Sequence, residues 1–420
     1  MRACLTILAA GAFAGLLSCR EAGGGGRSFP DDGSATFTQD VAFLNRHTPI
    51  KIISDPESGA QVALAPAWQG RVMTSTAGDK KNASYGWIHY DNVEAGIRPE
   101  GEREGLARHI HIFGGEERLW LGPEGGQFAL FFPKDAPYDF EHWKTPALLD
   151  TEPFEMVGRS RSSIRFARTA TIANRAGTVF KIRIARAVKM LDKATIARLF
   201  KVPVSPELPA VGYRSTNALT NVGEQAWTRD KGLISLWLLG MFKHGPGVIV
   251  VVPLTKGPGE PVRSDYFGAP DADRLKITDK AVFFKGDGEF RTKIGIPPNR
   301  SASVAGSWDP ARGVLTIVRC DGPANAAELP WVRSQWEDHE NPYDGEQIHV
   351  YNDGPPKPGA PPLGPFYEIE TSSPAMPLKP GATLVHVADT VHFDGDRQTL
   401  DPISKAVLGL SLEEIERVFK

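Results

Sequence analysis

The tightest constraint on this chain is a pair of alternating runs, residues 163–172 and 178–190, set around Ala173-Asn174-Arg175-Ala176-Gly177. Apolar and polar residues trade places along both, a period of two that fits a half-buried strand and not a helix. The glycine-containing turn between them predicts a long β-hairpin, which residues 194–200 extend. Shorter runs follow at 211–222, 232–242, 248–252, 281–284, 290–294, 302–307 and 314–318. Glycine (43) and proline (34) are both frequent, and they fall between these runs as turns do in an all-β protein. Trp227, Trp237 and Trp308 are expected in the core, where large aromatics dominate burial.

The 420 residues suffice for a large core. Lysine and arginine (48) nearly balance aspartate and glutamate (50), a net charge of −2, which leaves no basic footprint for nucleic acid. The first residues read as a targeting device. Arg2 precedes an apolar run, 5–17, that is too short to span a membrane, and Leu16-Leu17-Ser18-Cys19 follows. That motif resembles a bacterial lipobox. It implies a signal peptide over 1–18, lipidation of Cys19, a flexible tether over 19–35, and a protein held in the cell envelope by its N-terminal lipid, facing the periplasm or in the outer membrane. Cys320 is then the remaining free thiol, expected to be buried and inert. Residues 36–420 read as one β domain, a monomer, with no metal and no cofactor called for.

Within that domain, residues 37–45 predict a short helix, and 50–54 and 60–65 predict strands. Gln69-Gly70-Arg71 opens a third strand, where Arg71 has the reach to lie over a pocket or to pair with a carboxylate. His109-Ile110-His111-Ile112-Phe113 alternates, which puts both histidines on one strand face for acid/base work, with no third ligand spaced for a metal. Residues 118–132 set Leu119-Trp120-Leu121 against a second apolar piece, 128–132. The Gly122-Pro123-Glu124-Gly125-Gly126 turn between them carries one carboxylate, Glu124, with Gln127 just beyond. Residues 355–365 hold six prolines and predict an extended excursion. Next, Phe366-Tyr367-Glu368-Ile369-Glu370 alternates again. Its two carboxylates share a face, where burial raises the pKa of at least one and makes a general acid or base. In 383–393 Val385, Val387, Val391 and Phe393 share one face, with His386 and His392 opposite. At the end, Asp401 is expected to cap a helix from Pro402 that stops at Gly409, and Ser411 to Glu414 form a capping box.

Glu370-Thr371-Ser372-Ser373-Pro374, then Leu378-Lys379-Pro380-Gly381 and a strand ending in His392-Phe393, resemble the C-terminal signature of galactose mutarotase-like (aldose 1-epimerase-like) proteins. Residues 66–72 resemble an early strand of that superfamily. WLGPEGGQ at 120–127 and QGRVMTST at 69–76 resemble a group of bacterial lipoproteins attached to the same fold. The resemblance implies a large antiparallel β-supersandwich with short helices at the ends and a concave, sugar-binding face. It also implies a histidine acid and a glutamate base acting on a pyranose ring. Glu370 or Glu368 takes the glutamate's place, and His109 or His111 the acid's. The mid-chain histidine of the family has no counterpart, since His244 lies in a Lys-His-Gly-Pro turn.

Two functions follow: an aldose epimerase or related isomerase, or a lipid-anchored glycan-binding protein without catalysis. The first expects the faces of His109, His111, Glu368 and Glu370 to converge with Arg71, Trp120, Glu124 and Gln127 on one surface; the second expects a cleft of tryptophans with the carboxylates turned outward.

Overall fold

The computed structural model describes residues 33–356 and 359–420. The expected signal peptide, Cys19 and the tether as far as residue 32 lie outside the described residues. The long alternating runs form the expected hairpin: Ser163–Ala173 and Val179–Leu191 pair antiparallel without a break in register. Phe180, Ile182, Ile184 and Val188 turn inward, while Lys181, Arg183 and Lys189 are exposed. Arg186 shares the inward face and is buried with it.

The hairpin does not continue into 194–200. Lys193–Phe200 is a helix, because the Asp192 side chain accepts from the Thr195 N–H, and Ile196 and Phe200, four residues apart, reach the core together. Its C-terminal counterpart also starts elsewhere than expected. Asp396, not Asp401, caps Arg397–Leu408 by accepting from Thr399 N–H, which leaves Pro402 inside the helix. Gly409 ends it in the left-handed conformation, and Ser411 and Glu414 form the expected capping box of Leu412–Arg417.

Among the described residues the paired strands run antiparallel, in sheets of three, ten and five strands. The five-stranded sheet runs in the order Thr292–Ile296, Ile348–Asn352, Phe366–Ser372, Ser235–Lys243, Arg118–Gly122. One of its faces packs on the ten-stranded sheet through Phe242, Ile294, Val350, Tyr367 and Ile369, which meet Val250, Ala305 and Val318. The Tyr367 hydroxyl and Ser307 Oγ share a hydrogen bond of 2.7 Å across that interface. Because side chains alternate, Glu368, Glu370, His349 and Lys293 turn to the opposite face, and this is what builds the site. The outer face of the ten-stranded sheet is covered by the three helices just named.

Two expected strands are absent. Residues 128–132 do not pair with 119–121: Leu130 N–H donates to the Pro123 carbonyl and Ala129 N–H to that of Gly126, so the chain turns tightly. Arg118–Gly122 pairs instead with Ser235–Lys243. Residues 109–113 are irregular too, with Ile110 N–H donating to Leu106 and Phe113 N–H to His111. In 383–393 the histidine face is not outward. Val385 is exposed, whereas His386 and His392 are buried.

Between Gln69 and Arg71 the backbone reverses with two successive positive φ angles, 59° and 63°. Gly70 is required there twice over, since a Cβ would stand 2.4 Å from Cδ2 of the buried Phe166. Gly70→Ala is therefore expected to cost about 2–4 kcal/mol through left-handed strain and overpacking, read as a lowered urea midpoint at unchanged slope. Cys320 is buried, and burial pushes its thiol up to about 12, as an inert core cysteine requires.

Candidate functional site

The outward face of the five-stranded sheet floors a cleft of ≈ 230 Å³. Register explains its membership: Met241, Glu368, Tyr351 and Lys293 stand side by side on four strands, and Arg118, Leu239, Glu370 and His349 form the next row. Trp120 and Trp237, paired directly, add an indole edge to face at 5.4 Å. Loops supply the walls. Trp143 stacks between Phe140 and Trp336, with ring centroids 5.9 and 6.0 Å away, and Tyr266, Phe267 and Leu363 close the other sides.

The polar groups of the floor are buried. Arg118 Nη2 donates to Glu368 Oε1 at 2.6 Å, and the same guanidinium lies over the Trp120 ring. Glu370 Oε2 accepts from Lys293 Nζ at 3.0 Å and from Trp237 Nε1 at 2.9 Å, with His349 Nδ1 3.8 Å away. These two carboxylates, two residues apart on one strand, are driven in opposite directions. Burial pushes Glu368 up to about 7; Arg118 opposes this, and the neighbouring charge of Glu370 adds to it. Glu370 is also buried, but Lys293, His349 and the Trp237 N–H outweigh that and hold it below the usual carboxylate range. Glu124 reaches the cleft from its turn, where it accepts from Trp336 Nε1 at 3.1 Å. Burial raises it, with Lys293 opposing.

Behind Glu370 a second polar group is packed. His349 Nε2 lies 3.0 Å from the Tyr266 hydroxyl, which donates to Glu346 Oε2 at 2.9 Å. Glu346 Oε1 in turn accepts from Arg263. Such a network fixes the aromatic wall at Tyr266 to the floor beneath it.

The expected site residues divide. Glu368, Trp120 and Glu124 line the cleft, and Glu370 lies beneath it in the ion pair with Lys293. His109 and His111 do not line it. The isoleucines that alternate with them, Ile110 and Ile112, do. His111 is buried against Asp150, Nδ1 to Oδ2 at 2.8 Å, and His109 Nδ1 meets the Trp143 carbonyl. Arg71 is also away from the lining: it is buried, donates to the Gly114 carbonyl, and is lowered to about 9 by burial and then by the charge of Arg118. Gln127 anchors a loop by exchanging hydrogen bonds with the backbone of His339.

Trp237 is a lining residue rather than simple core, unlike Trp227 and Trp308. The residues missed were Arg118, Lys293, His349, Trp143, Trp336 and Tyr266. Arg118 was detectable, since it stands two before Trp120 on the same strand face. Lys293, followed by Ile294-Gly295-Ile296, carried only a weak signal of a buried cation. The loop residues Trp143, Tyr266 and Trp336 carried none, because no period relates them to the sheet.

Three comparisons bear on this arrangement. A family of unknown function, DUF6786, matches residues 35–419. No curated protein matches. Among solved structures, the Slr1438 protein from Synechocystis sp. PCC 6803 is similar in fold, with a TM-score of 0.50 and 11% identity over 83% of this chain and 96% of that one. A galactose mutarotase-like protein from Lactobacillus casei ATCC 334 is also similar, at a TM-score of 0.43 and 10% identity over 82% and 100% of the two chains. So is a galactose mutarotase related enzyme from Lactobacillus acidophilus, at 0.44 and 8% over 83% and 98%.

Proposed function

The chain belongs to the DUF6786 family, and we propose that it is a carbohydrate-active protein whose cleft binds a sugar ring and exchanges protons with it. The observation that carries this is Glu368, a buried carboxyl paired with Arg118 on the floor of a cleft walled by indole rings, where burial pushes it up to about 7. Indoles offer flat apolar faces to the C–H face of a pyranose, while Glu124, Lys293 and Arg118 offer acceptors and donors to its hydroxyls. A carboxyl half-ionised near neutral pH both accepts and returns a proton at little cost, as ring opening requires when the anomeric hydroxyl loses a proton and the ring oxygen gains one. Glu124, also raised, is the second carboxyl available to the same ring, and Glu370 with Lys293 positions the floor. The acid and base are then two carboxyls, in place of the histidine and glutamate that the resemblance implies.

One observation favours a second reading, glycan binding without turnover: both expected histidines lie outside the cleft. Calorimetric titration with monosaccharides, followed by NMR measurement of anomer exchange for any that bind, separates the two. Trp143→Ala is expected to weaken sugar binding about tenfold, the value of about 1–1.5 kcal/mol for a lost aromatic platform. Glu368→Gln is expected to retain binding and abolish exchange. Binding with no exchange in the unmodified protein supports the second reading, and absence of binding defeats both.

From the Leu16-Leu17-Ser18-Cys19 motif we further propose that the protein is held in the cell envelope by lipid at Cys19 and acts there as a monomer on glycans. Cys19→Ala is expected to move it from the membrane fraction to the soluble one. Fatty-acid labelling that leaves Cys19 unmodified would remove the anchor from the proposal.

A further inference from the structure

Beside the cleft lies a second, larger and more open depression of ≈ 1090 Å³. The two share their dividing walls. In the strap 263–268, Tyr266 and Phe267 line the cleft while Arg263, Asp265 and Gly268 line the groove. In the loop after Trp331, Arg333 lines the groove while Ser334, Gln335 and Trp336 line the cleft. The strap is fixed to the cleft floor, because Arg263 and Gly295 exchange both backbone hydrogen bonds at 2.8 Å and so prolong the edge of the five-stranded sheet. The Phe267 ring, 47% exposed, stands at the divide against Tyr351.

The groove's chemistry is that of a hydroxyl-rich, uncharged ligand. Its arginines are Arg229, Arg263 and Arg333, against the acids Glu260, Asp265, Glu328 and Asp344, so a polyanion meets more acid than base. Arg263 and Arg333 both face Asp344, and Arg333 and Gln335 reach Asp265, which makes a floor of planar donors and acceptors already held in place. Arg229 is exposed and lies over the Tyr343 ring at 5.0 Å, while the Tyr343 hydroxyl donates to the Arg229 carbonyl. A stacked, exposed guanidinium of this kind presents a flat face and free N–H groups together. The cleft's ≈ 230 Å³ is near the scale of one sugar ring, whereas the groove reaches the upper end of ligand pockets, about 1,000 Å³.

We infer that the ligand is a neutral oligosaccharide, one terminal ring of which occupies the cleft while the following rings cross Phe267 and lie in this groove. This rests on the sugar reading of the cleft. The test titrates full-length protein with glucose, galactose and mannose and with linear tetramers of each. At least one tetramer is expected to bind about tenfold or more tighter than its monomer. Ala327→Trp, which puts an indole into the groove from an exposed position, is expected to bring that ratio to about one with monomer affinity unchanged. Arg229→Ala, a surface truncation that leaves the core intact, is expected to lower the ratio in part. Monomer and tetramer binding equally well to the unmodified protein would overturn the inference and leave the cleft reading standing. Equal losses for monomer and tetramer in Ala327→Trp would also overturn it, by placing the effect in the cleft. No binding of either would overturn both.

Discussion

Arg186→Ala is expected to lower stability against unfolding by about 3–5 kcal/mol, the largest effect of any single truncation argued from this structure. The guanidinium is wholly buried between the ten-stranded and five-stranded sheets. It donates through Nη2 to Glu117 Oε1 at 2.7 Å, through Nη1 to Asn217 Oδ1 at 2.8 Å, and through Nε to the Gly70 carbonyl at 3.2 Å. The carboxylate of Glu117, the residue just before the site strand Arg118–Gly122, is left with Ser215 Oγ as its hydrogen-bonding partner among the described residues once the arginine is gone. Burial already raises the Glu117 carboxyl and Arg186 is the first influence opposing it, so the truncated protein must either bury a bare carboxylate or protonate it.

A few kcal/mol is a sizeable part of a stability of about 5–15 kcal/mol. The measurement is urea denaturation of Arg186→Ala beside the double variant Arg186→Met with Glu117→Leu. The double variant is expected to recover most of the loss, because the cost lies in the stranded charge rather than in the absence of an ion pair. A loss below about 1 kcal/mol for the single variant would show that water or a rearranged partner replaces the arginine.

The pairing of Arg186 with Glu117 marks the limit of what period two conveys. In 178–190 every second residue is assigned to a face, and Arg186 falls with Ile182, Ile184 and Val188, so its burial was implied by register while its partner, Glu117, was not. The strands were legible because alternation is local. Their pairing was not, because Arg118–Gly122 bonds to a strand more than a hundred residues later rather than to the nearby 128–132.

The same distinction governs the site. Alternation placed Glu368 and Glu370 on one face correctly. The strand it implied at 109–113 does not form, and there the isoleucines rather than the histidines reach the cleft. Residues 194–200 failed for a different reason. Seven residues fit either period, and the deciding feature was a single side-chain cap at Asp192, outside the run.

The second large effect lies in how stability depends on pH through the paired glutamates. Glu368 has its folded pKa raised from 4.5 to about 7, so the folded state holds this proton more tightly than the unfolded chain does. Its contribution is fully present below pH 4.5 and is lost as pH climbs through 7; the rise corresponds to about 3 kcal/mol. Glu370, held below 4.5, has the opposite sign: its contribution is present above 4.5 and is lost as pH falls through its lower folded value. Because the two share one strand face they titrate as a pair, and the pair favours the folded protein most near pH 4.5–5. Glu368→Gln removes the first contribution and leaves the second. The stability of this variant minus that of the unmodified protein, from denaturation curves at pH 4.5 to 8, is therefore expected to rise with pH by about 3 kcal/mol. A constant offset from the lost contact with Arg118 does not alter that slope. A flat difference across this range would mean that Glu368 is ionised throughout, with Arg118 outweighing burial, and proton exchange near neutral pH would lose its agent.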